Sequence, residues 1–425
     1  MSPRFAAFQY PDFRRFWIGF AVSISGQQML WMLEPWLIYE ISGSKAFLGI
    51  NAIAQAVPAT ALVLLGGVIA DKFDQRKVLI AVQAAQIAVL VGLMILALTE
   101  LLQVWHIFVA AFLRGIITSF ENPARQSMFP HLVRPEAIRN AVALSATIHP
   151  GTAIGAPVLG GILLALVLGA TDSPRIAAGA VLLVAIAAAA TYALILAKVY
   201  LPPIKRTRSG GMASDMAEGV RFVWRNRIFS ILIGLAYYNM FFGISLSVLF
   251  PIIAKDVLHT GPDALGVMYG AMGIGSLAGV FAAAHFSGPE RQRYMLIGGP
   301  LLLGASMIGL AVTPVFWLSL VVLFGVGAGG SVFSVAIQQN VQMLVTNEFR
   351  GRVMALWSLV HSSVRPMGEM QFSGIAALVS APLSLILSGV MVLVGAAFLV
   401  TRGPTQRLID LKEAPAEPLE TSVSR

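Results

Sequence analysis

Long apolar runs separated by short polar breaks repeat along the chain almost to its end. The runs fall at about 14–40, 46–70, 77–99, 103–122, 138–169 and 176–200, and then at 228–254, 264–286, 294–313, 315–337, 353–378 and 381–401. Each is long enough for a helix to cross a hydrocarbon core, which takes about 20 residues. The pattern predicts an all-α integral membrane protein of twelve transmembrane helices in two groups of six, with no room for a sizeable domain outside the bilayer. The first run is too long for the apolar core of a signal peptide and is expected to stay as the first span. At the midpoint lies the longest polar stretch, in which 212–224 (MASDMAEGVRFVW) has the pattern of a short amphipathic helix on a membrane surface. The expected organisation is a terminus 1–13, a six-helix bundle 14–200, a linker 201–227, a second bundle 228–402, and a tail 403–425 too poor in apolar residues to fold alone.

Composition agrees with this picture: 57% of residues are apolar, 12% are charged, and there is no Cys. A soluble domain carries about 25% charged residues. The net charge of +9 does not point to nucleic acid, because the basic residues lie in short runs between apolar blocks rather than on one folded face. With both termini placed inside, 24 of the 29 Lys and Arg residues fall on the inner side and three, Lys45, Arg175 and Lys255, on the outer side. Arg114 and Arg365 lie within spans. Such asymmetry is what the positive-inside rule gives for an even number of helices, with both termini cytoplasmic.

The two groups of six are related in sequence. Offsetting the chain by 212 residues aligns 124–144 (ARQSMFPHLVRPEAIRNAVAL) with 336–356 (AIQQNVQMLVTNEFRGRVMAL), with seven of 21 positions identical, and brings His149 onto His361. The matches include polar residues in a loop, so duplication explains them better than shared apolar composition. Parallel repeats of this kind imply a path at the interface of the halves, near the bilayer midplane.

Two motifs stand out. Residues 66–80 (GGVIADKFDQRKVLI) join the second and third spans, and 155–163 (GAPVLGGIL) lie in the fifth. The first resembles the loop signature of the major facilitator superfamily, G-x-x-x-D-R-x-G-R-[RK]. Gly67, Asp71 and Arg76 are in register, Lys72 keeps the charge of the first Arg, and Lys77 supplies a positive charge just beyond. Asp74 and Gln75 depart from the pattern. The resemblance implies a conformational latch formed by Gly67, Asp71, Lys72, Arg76 and Lys77. The second motif is similar to the superfamily's antiporter motif through Pro157, Gly160 and Gly161, with Ala156 in place of a Gly. Together with 119–144 and 347–356 (NEFRGRVMAL), it resembles the branch that includes the enterobactin exporter and the macrolide efflux proteins.

That resemblance covers about residues 10–402 and implies a secondary active transporter of the bacterial inner membrane. It would export a small amphipathic molecule by alternating access, with a proton as the coupling ion and a monomer as the working unit. The alternatives are a lipid or lysophospholipid translocator and, from another class, a polytopic membrane enzyme or sensor. No paired Asp residues, His-rich set, Ser/His pair or Walker-type loop is present, so no catalytic residue, metal or cofactor is predicted.

Polar groups within spans are expensive and mark function by default. Glu34, beside Trp31 and Trp36, is a candidate proton carrier or a hydrated residue near the rim, with Glu121 and Glu369 as the other candidate carboxylates; Arg114 is a candidate for substrate or proton relay, or a structural partner of Glu121 or another carboxylate. Arg365 and Glu369, four residues apart, fit an internal ion pair that either tunes substrate choice or neutralises itself. Branch relatives usually carry apolar residues at both places. Gln27, Trp31, Asn239 and Gln338 are candidate cavity residues, and His149 and His361 are either titrating or packing histidines.

Overall fold

The computed structural model describes residues 3–201, 212–285, 289–346 and 349–401. Among these, twelve long helices follow one another: α1 Pro11–Ser42, α2 Ala46–Lys72, α3 Gln75–Leu98, α4 Val104–Met128, α5 Ile148–Thr171 and α6 Pro174–Lys198. The second set is α7 Arg227–Phe242, α8 Pro262–His285, α9 Pro289–Val312, α10 Phe316–Leu344, α11 Arg350–Leu378 and α12 Ala381–Thr401. Ten helical segments among the described residues are long and apolar enough to span a bilayer. The helices that miss this mark, α1 and α11, carry Gln27, Gln28 and Glu34, and Arg365 and Glu369. Tail residues 403–425 lie outside the described residues, as do 202–211 of the linker. Within the linker the surface helix Met212–Arg225 forms, anchored by Val223 in the core and by a Glu218–Arg352 ion pair of 3.1 Å.

Three departures from the apolar pattern have local causes. α4 runs on to Met128, past the apolar stretch, because Glu121, Ala124 and Met128 form a buried stripe at helical spacing. The 138–169 run is broken at Thr147 between the short helix Ile138–Ala146 and α5. Pro150 has no N–H to donate to Ala146 and disfavours helical geometry in the residue before it, so the helix restarts with proline in its first turn. The seventh run is helical only to Phe242, then passes through a 3-10 turn Ile244–Leu249 and a π turn Ile253–Val257. Ser245 and Ser247 of that irregular stretch turn toward α11, where Ser245 Oγ donates to the Arg365 carbonyl at 3.0 Å.

The 212-residue offset carries the start of α4, Val104, onto the start of α10, Phe316. It also carries Gly115 onto Gly327. Gly115 faces the Gln55 carbonyl of α2 and Gly327 the Met272 carbonyl of α8, so the same backbone-close crossing is built twice. Contacts between the halves are made chiefly by α5 with α8 and by α2 with α11.

The apolar core shows how the halves meet. One cluster spans both, including Leu33, Leu37, Leu48 and Ala178 with Phe250, Leu265, Met307 and Phe372. Two further clusters are confined to single halves: Phe13, Phe16, Leu79 and Tyr192 in the first, and Phe229, Leu232, Ile337 and Val353 in the second. The shared cluster lies toward the α1–α2 and α7–α8 connections, the far end. The separate ones lie toward the chain termini and the basic α2–α3 loop, the basic end. The halves are therefore fused at one end and parted at the other.

Candidate functional site

At the far end α5 and α8 meet backbone to backbone. A Cβ built on Gly161 would stand 2.5 Å from the Pro262 carbonyl and 3.0 Å from Gly266 Cα, and one on Gly266 would stand 2.6 Å from the Pro157 carbonyl. Gly160 faces Met29 and Met32 of α1 instead. Beyond this seam two ion pairs tie the halves: Lys255 Nζ to Glu40 Oε2 at 2.7 Å and Lys45 Nζ to Asp256 Oδ2 at 3.5 Å. Tyr39 Oη also donates to Asp256 Oδ2 at 2.6 Å. The α2–α11 seam is polar, with the Thr60 and Ser363 hydroxyls 3.4 Å apart.

Between the parted halves lies a cavity of about 480 Å³, a size that suits a drug-like molecule. Gln27, Trp31, Arg114, Glu121, Arg125, His149, Arg365 and Glu369 are in its lining, which extends to Phe20 and Asn122 near the basic end. A smaller chamber of about 50 Å³ lies against Trp31, Glu34, Asn51, Ser247, Arg365 and Glu369.

Four of the charged groups are sorted into pairs, and two, Glu121 and Arg125, are in no ion pair among the described residues. Glu34 is buried and forms an ion pair with Arg114, which is itself only 5% exposed. Arg114 thus takes Glu34, not Glu121, as its partner. Arg365 Nε donates to Glu369 Oε1 at 2.8 Å, the i,i+4 pair expected from the sequence. Glu121, 8% exposed, is left with amide partners; Gln83 Nε2 donates to it at 3.4 Å. One turn on, the Arg125 guanidinium lies over the Phe20 ring at 4.3 Å and donates to Asn122 Oδ1 at 2.7 Å. No ion pair to Glu121 is present among the described residues.

Asn239 and Gln338 do not line either cavity. Asn239 is buried in α7, 3% exposed, and Gln338 is half-buried on α10. Tyr238 turns away too, donating to the Met391 carbonyl. His149 reaches the cavity and makes an edge contact with Phe20, while the His361 side chain lies outside the described residues.

At the basic end, the Asp71 side chain also lies outside the described residues, and Lys72 and Lys77 are exposed. Arg76 donates to the Ala197 carbonyl of α6. Asp74, the departure from the family pattern, caps α3 by accepting from the backbone N–H of Arg76 at 2.9 Å and of Lys77 at 3.3 Å. Gly66, beside Gly67, makes a close approach of α2 to α4, where it faces the Ser119 carbonyl. Sequence reasoning also passed over Asn51, Gln83 and Ser247, single polar residues within apolar runs.

The pattern of the transmembrane secretion effector family matches residues 2–422. The chain belongs to this family. As a transmembrane secretion effector it is a multi-pass membrane transporter of the major facilitator superfamily and not an enzyme. It is 23% identical over 362 residues to macrolide efflux protein A of Streptococcus pyogenes, covering 84% of this chain and 87% of that one. It is also 23% identical over 407 residues to the enterobactin exporter EntS of Citrobacter koseri, covering 94% and 93%. Among solved structures, a bacterial homologue of the human lysosomal transporter Spinster in an inward-facing, unoccupied conformation superposes with a TM-score of 0.73 at 15% identity, over 97% of this chain and 99% of that one. In this transmembrane secretion effector the antiporter-type motif of α5 lies at the seam with α8, and the cavity lies where the two repeats face each other.

Proposed function

We propose that this protein exports small amphipathic molecules from the cytoplasm across the bacterial inner membrane by alternating access, exchanging them for protons. The basic end is the cytoplasmic side in this reading, which the charge asymmetry supports. A cavity that reaches toward this end, below a seam closed at the other, is the inward-facing state of such a cycle. Its relatives of similar length are named for macrolide efflux and enterobactin export, and their matches cover 84% and 94% of the chain. The protein is expected to work as a monomer, with no partner beyond its substrate, protons and the lipid bilayer.

The observation that carries proton exchange is Glu121, a buried cavity carboxyl without an ion-pair partner among the described residues. Protonating it breaks no ion pair, since Arg114 keeps Glu34 and Arg125 keeps Asn122 and the Phe20 ring. Protonating Glu34 or Glu369 removes the charge that Arg114 or Arg365 leans on, and for the buried Glu34–Arg114 pair neutralising one member costs about 3–5 kcal/mol. Glu121 is therefore the better carrier. Glu34 is a poor diagnostic, since Glu34→Gln would harm the protein whichever group carries the proton.

The test uses purified protein in proteoliposomes with a lumenal pH dye and an imposed pH gradient, with erythromycin as the macrolide. Erythromycin-induced proton flux that is lost in Glu121→Gln, while binding of erythromycin persists, is the expected result. Flux that survives Glu121→Gln moves the proton to another group. If erythromycin moves without protons, antiport is refuted; if a fluorescent lysophospholipid moves and erythromycin does not, lipid translocation replaces export of soluble molecules.

A further inference from the structure

The small chamber between α1, α2 and α11 brings together several groups that suit a cation. The guanidinium carbon of Arg365 lies 3.6 Å from the centroid of the Trp31 ring. Its Nε donates to Glu369 Oε1 at 2.8 Å, and its Nη2 donates to Ser247 Oγ at 3.5 Å. Asn51, 7% exposed on the chamber wall, has an amide oxygen with no hydrogen-bond partner among the described residues. An indole face, a carboxylate, a hydroxyl oxygen and an unused carbonyl oxygen make a site that replaces the hydration shell of a positive charge. Arg365 is the one cationic group in the chamber's lining and its charge is already matched by Glu369, so an anion finds no free positive charge there.

Trp31 is 44% exposed, and it also lines the main cavity. The chamber's remaining space of about 50 Å³ does not admit a second organic cation beside the guanidinium. The main cavity next to it has room for the body of such a molecule. Arg365 has a long flexible stem and a weakly hydrated head, so it can leave the indole face and turn into cavity water.

We infer that Arg365 is an internal stand-in at a cation site formed by Trp31, Glu369 and Asn51, and that lipophilic monocations are bound by displacing it. Arg365 then sets specificity by competition. A molecule must offer Trp31 and Glu369 more than the guanidinium does, which neutral and anionic amphiphiles cannot. The stack joins α1 of one half to α11 of the other, so the exchange also replaces a link between halves with the substrate itself. This deepens the export reading and rests on it for the use to which binding is put.

Binding can be tested apart from export, with purified full-length protein in detergent, no pH gradient, and two probes of matched shape and opposite charge, tetraphenylphosphonium and tetraphenylborate. By isothermal titration, wild type is expected to prefer the phosphonium. Arg365→Gln and Arg365→Ala should tighten phosphonium binding by about fivefold, the range in which a cation on an exposed ring is worth displacing. Trp31→Leu and Glu369→Gln should weaken it by about tenfold, with elution and melting profiles checked for each. Unchanged or weaker phosphonium binding in both Arg365 variants overturns the stand-in role. Wild-type preference for the borate, lost in Arg365→Gln, overturns it in favour of Arg365 as a direct anion ligand. If the affinities behave as expected but vesicles show no coupled flux, the site stands and the export reading fails.

Discussion

The two ends of the molecule are held in different ways. At the far end one apolar core runs through both halves, α5 and α8 touch through glycines, and two ion pairs bridge the gap. At the basic end each half has its own core and the cavity lies between them. A closed end built from backbone contact is tight but has no chemical bond to break, so it separates once something else favours separation. An open end with two finished cores costs little to hold open, because neither half exposes its interior there. The comparison places the control of conformation on the far-end seam rather than on the open end.

The strongest way to break that comparison is to put volume into the seam. Gly161→Leu sets a side chain where a Cβ alone would already be 2.5 Å from the Pro262 carbonyl and 3.0 Å from Gly266 Cα. Overpacking typically costs about 1–3 kcal/mol, and each 1.4 kcal/mol is tenfold in a population. The arrangement with α5 and α8 in contact should therefore fall by about 5- to 150-fold relative to any state in which they are apart. The chain has no cysteine, so spin labels at introduced cysteines Ser44→Cys and His259→Cys report the far-end distance directly. A longer distance and lost export are expected; an unchanged distance with full export would show that the seam yields elsewhere.

The ion pairs beyond the seam should matter less. Lys255 is about half exposed and Asp256 about a third, and pairs of that exposure are worth about 0.2–1 kcal/mol each. Lys255→Glu should lengthen the same spin-label distance in only a minor fraction of molecules. The double variant Lys255→Glu with Glu40→Lys should restore it. Raising salt should act like the single variant, since screening weakens exposed pairs. A Lys255→Glu effect as large as that of Gly161→Leu would invert the ranking of glycine seam over charge clamp.

Much of this was legible in the chain. Helix number came from the apolar runs, because a bilayer asks a minimum length of every span, and the repeat from residues matched at a 212-residue offset. The exceptions to the positive-inside pattern proved as telling as the rule. Lys45 and Lys255 are the clamp cations; Arg175 donates to the Leu102 carbonyl at 2.9 Å; Arg114 holds the buried Glu34 and Arg365 the half-buried Glu369. Less legible was which carboxylate pairs with Arg114, because Glu34 comes from another helix and no spacing rule reaches between helices. Cavity membership was also hidden for Asn239 and Gln338. A single amide in an apolar helix can face cavity, neighbour or lipid, and only packing decides among them. The irregular stretch after Phe242, which brings Ser247 to Arg365, looked like an ordinary span because its residues are as apolar as their neighbours.

The smallest expected effect sharpens the comparison from the open end. Asp74 stands where the superfamily's loop signature has glycine, and its carboxylate accepts from the Arg76 and Lys77 backbone N–H groups at the start of α3. Removing such a cap in favour of alanine costs about 1 kcal/mol, whereas glycine costs only a few tenths. Asp74→Ala should therefore lower the melting temperature measurably and Asp74→Gly, which restores the family residue, much less. Neither should move the far-end spin-label distance, because the cap is satisfied within the α2–α3 loop and makes no contact across the halves. If Asp74→Ala does lengthen that distance, the basic loop and the far-end seam are coupled through the bundle, and the open end takes part in closing the other.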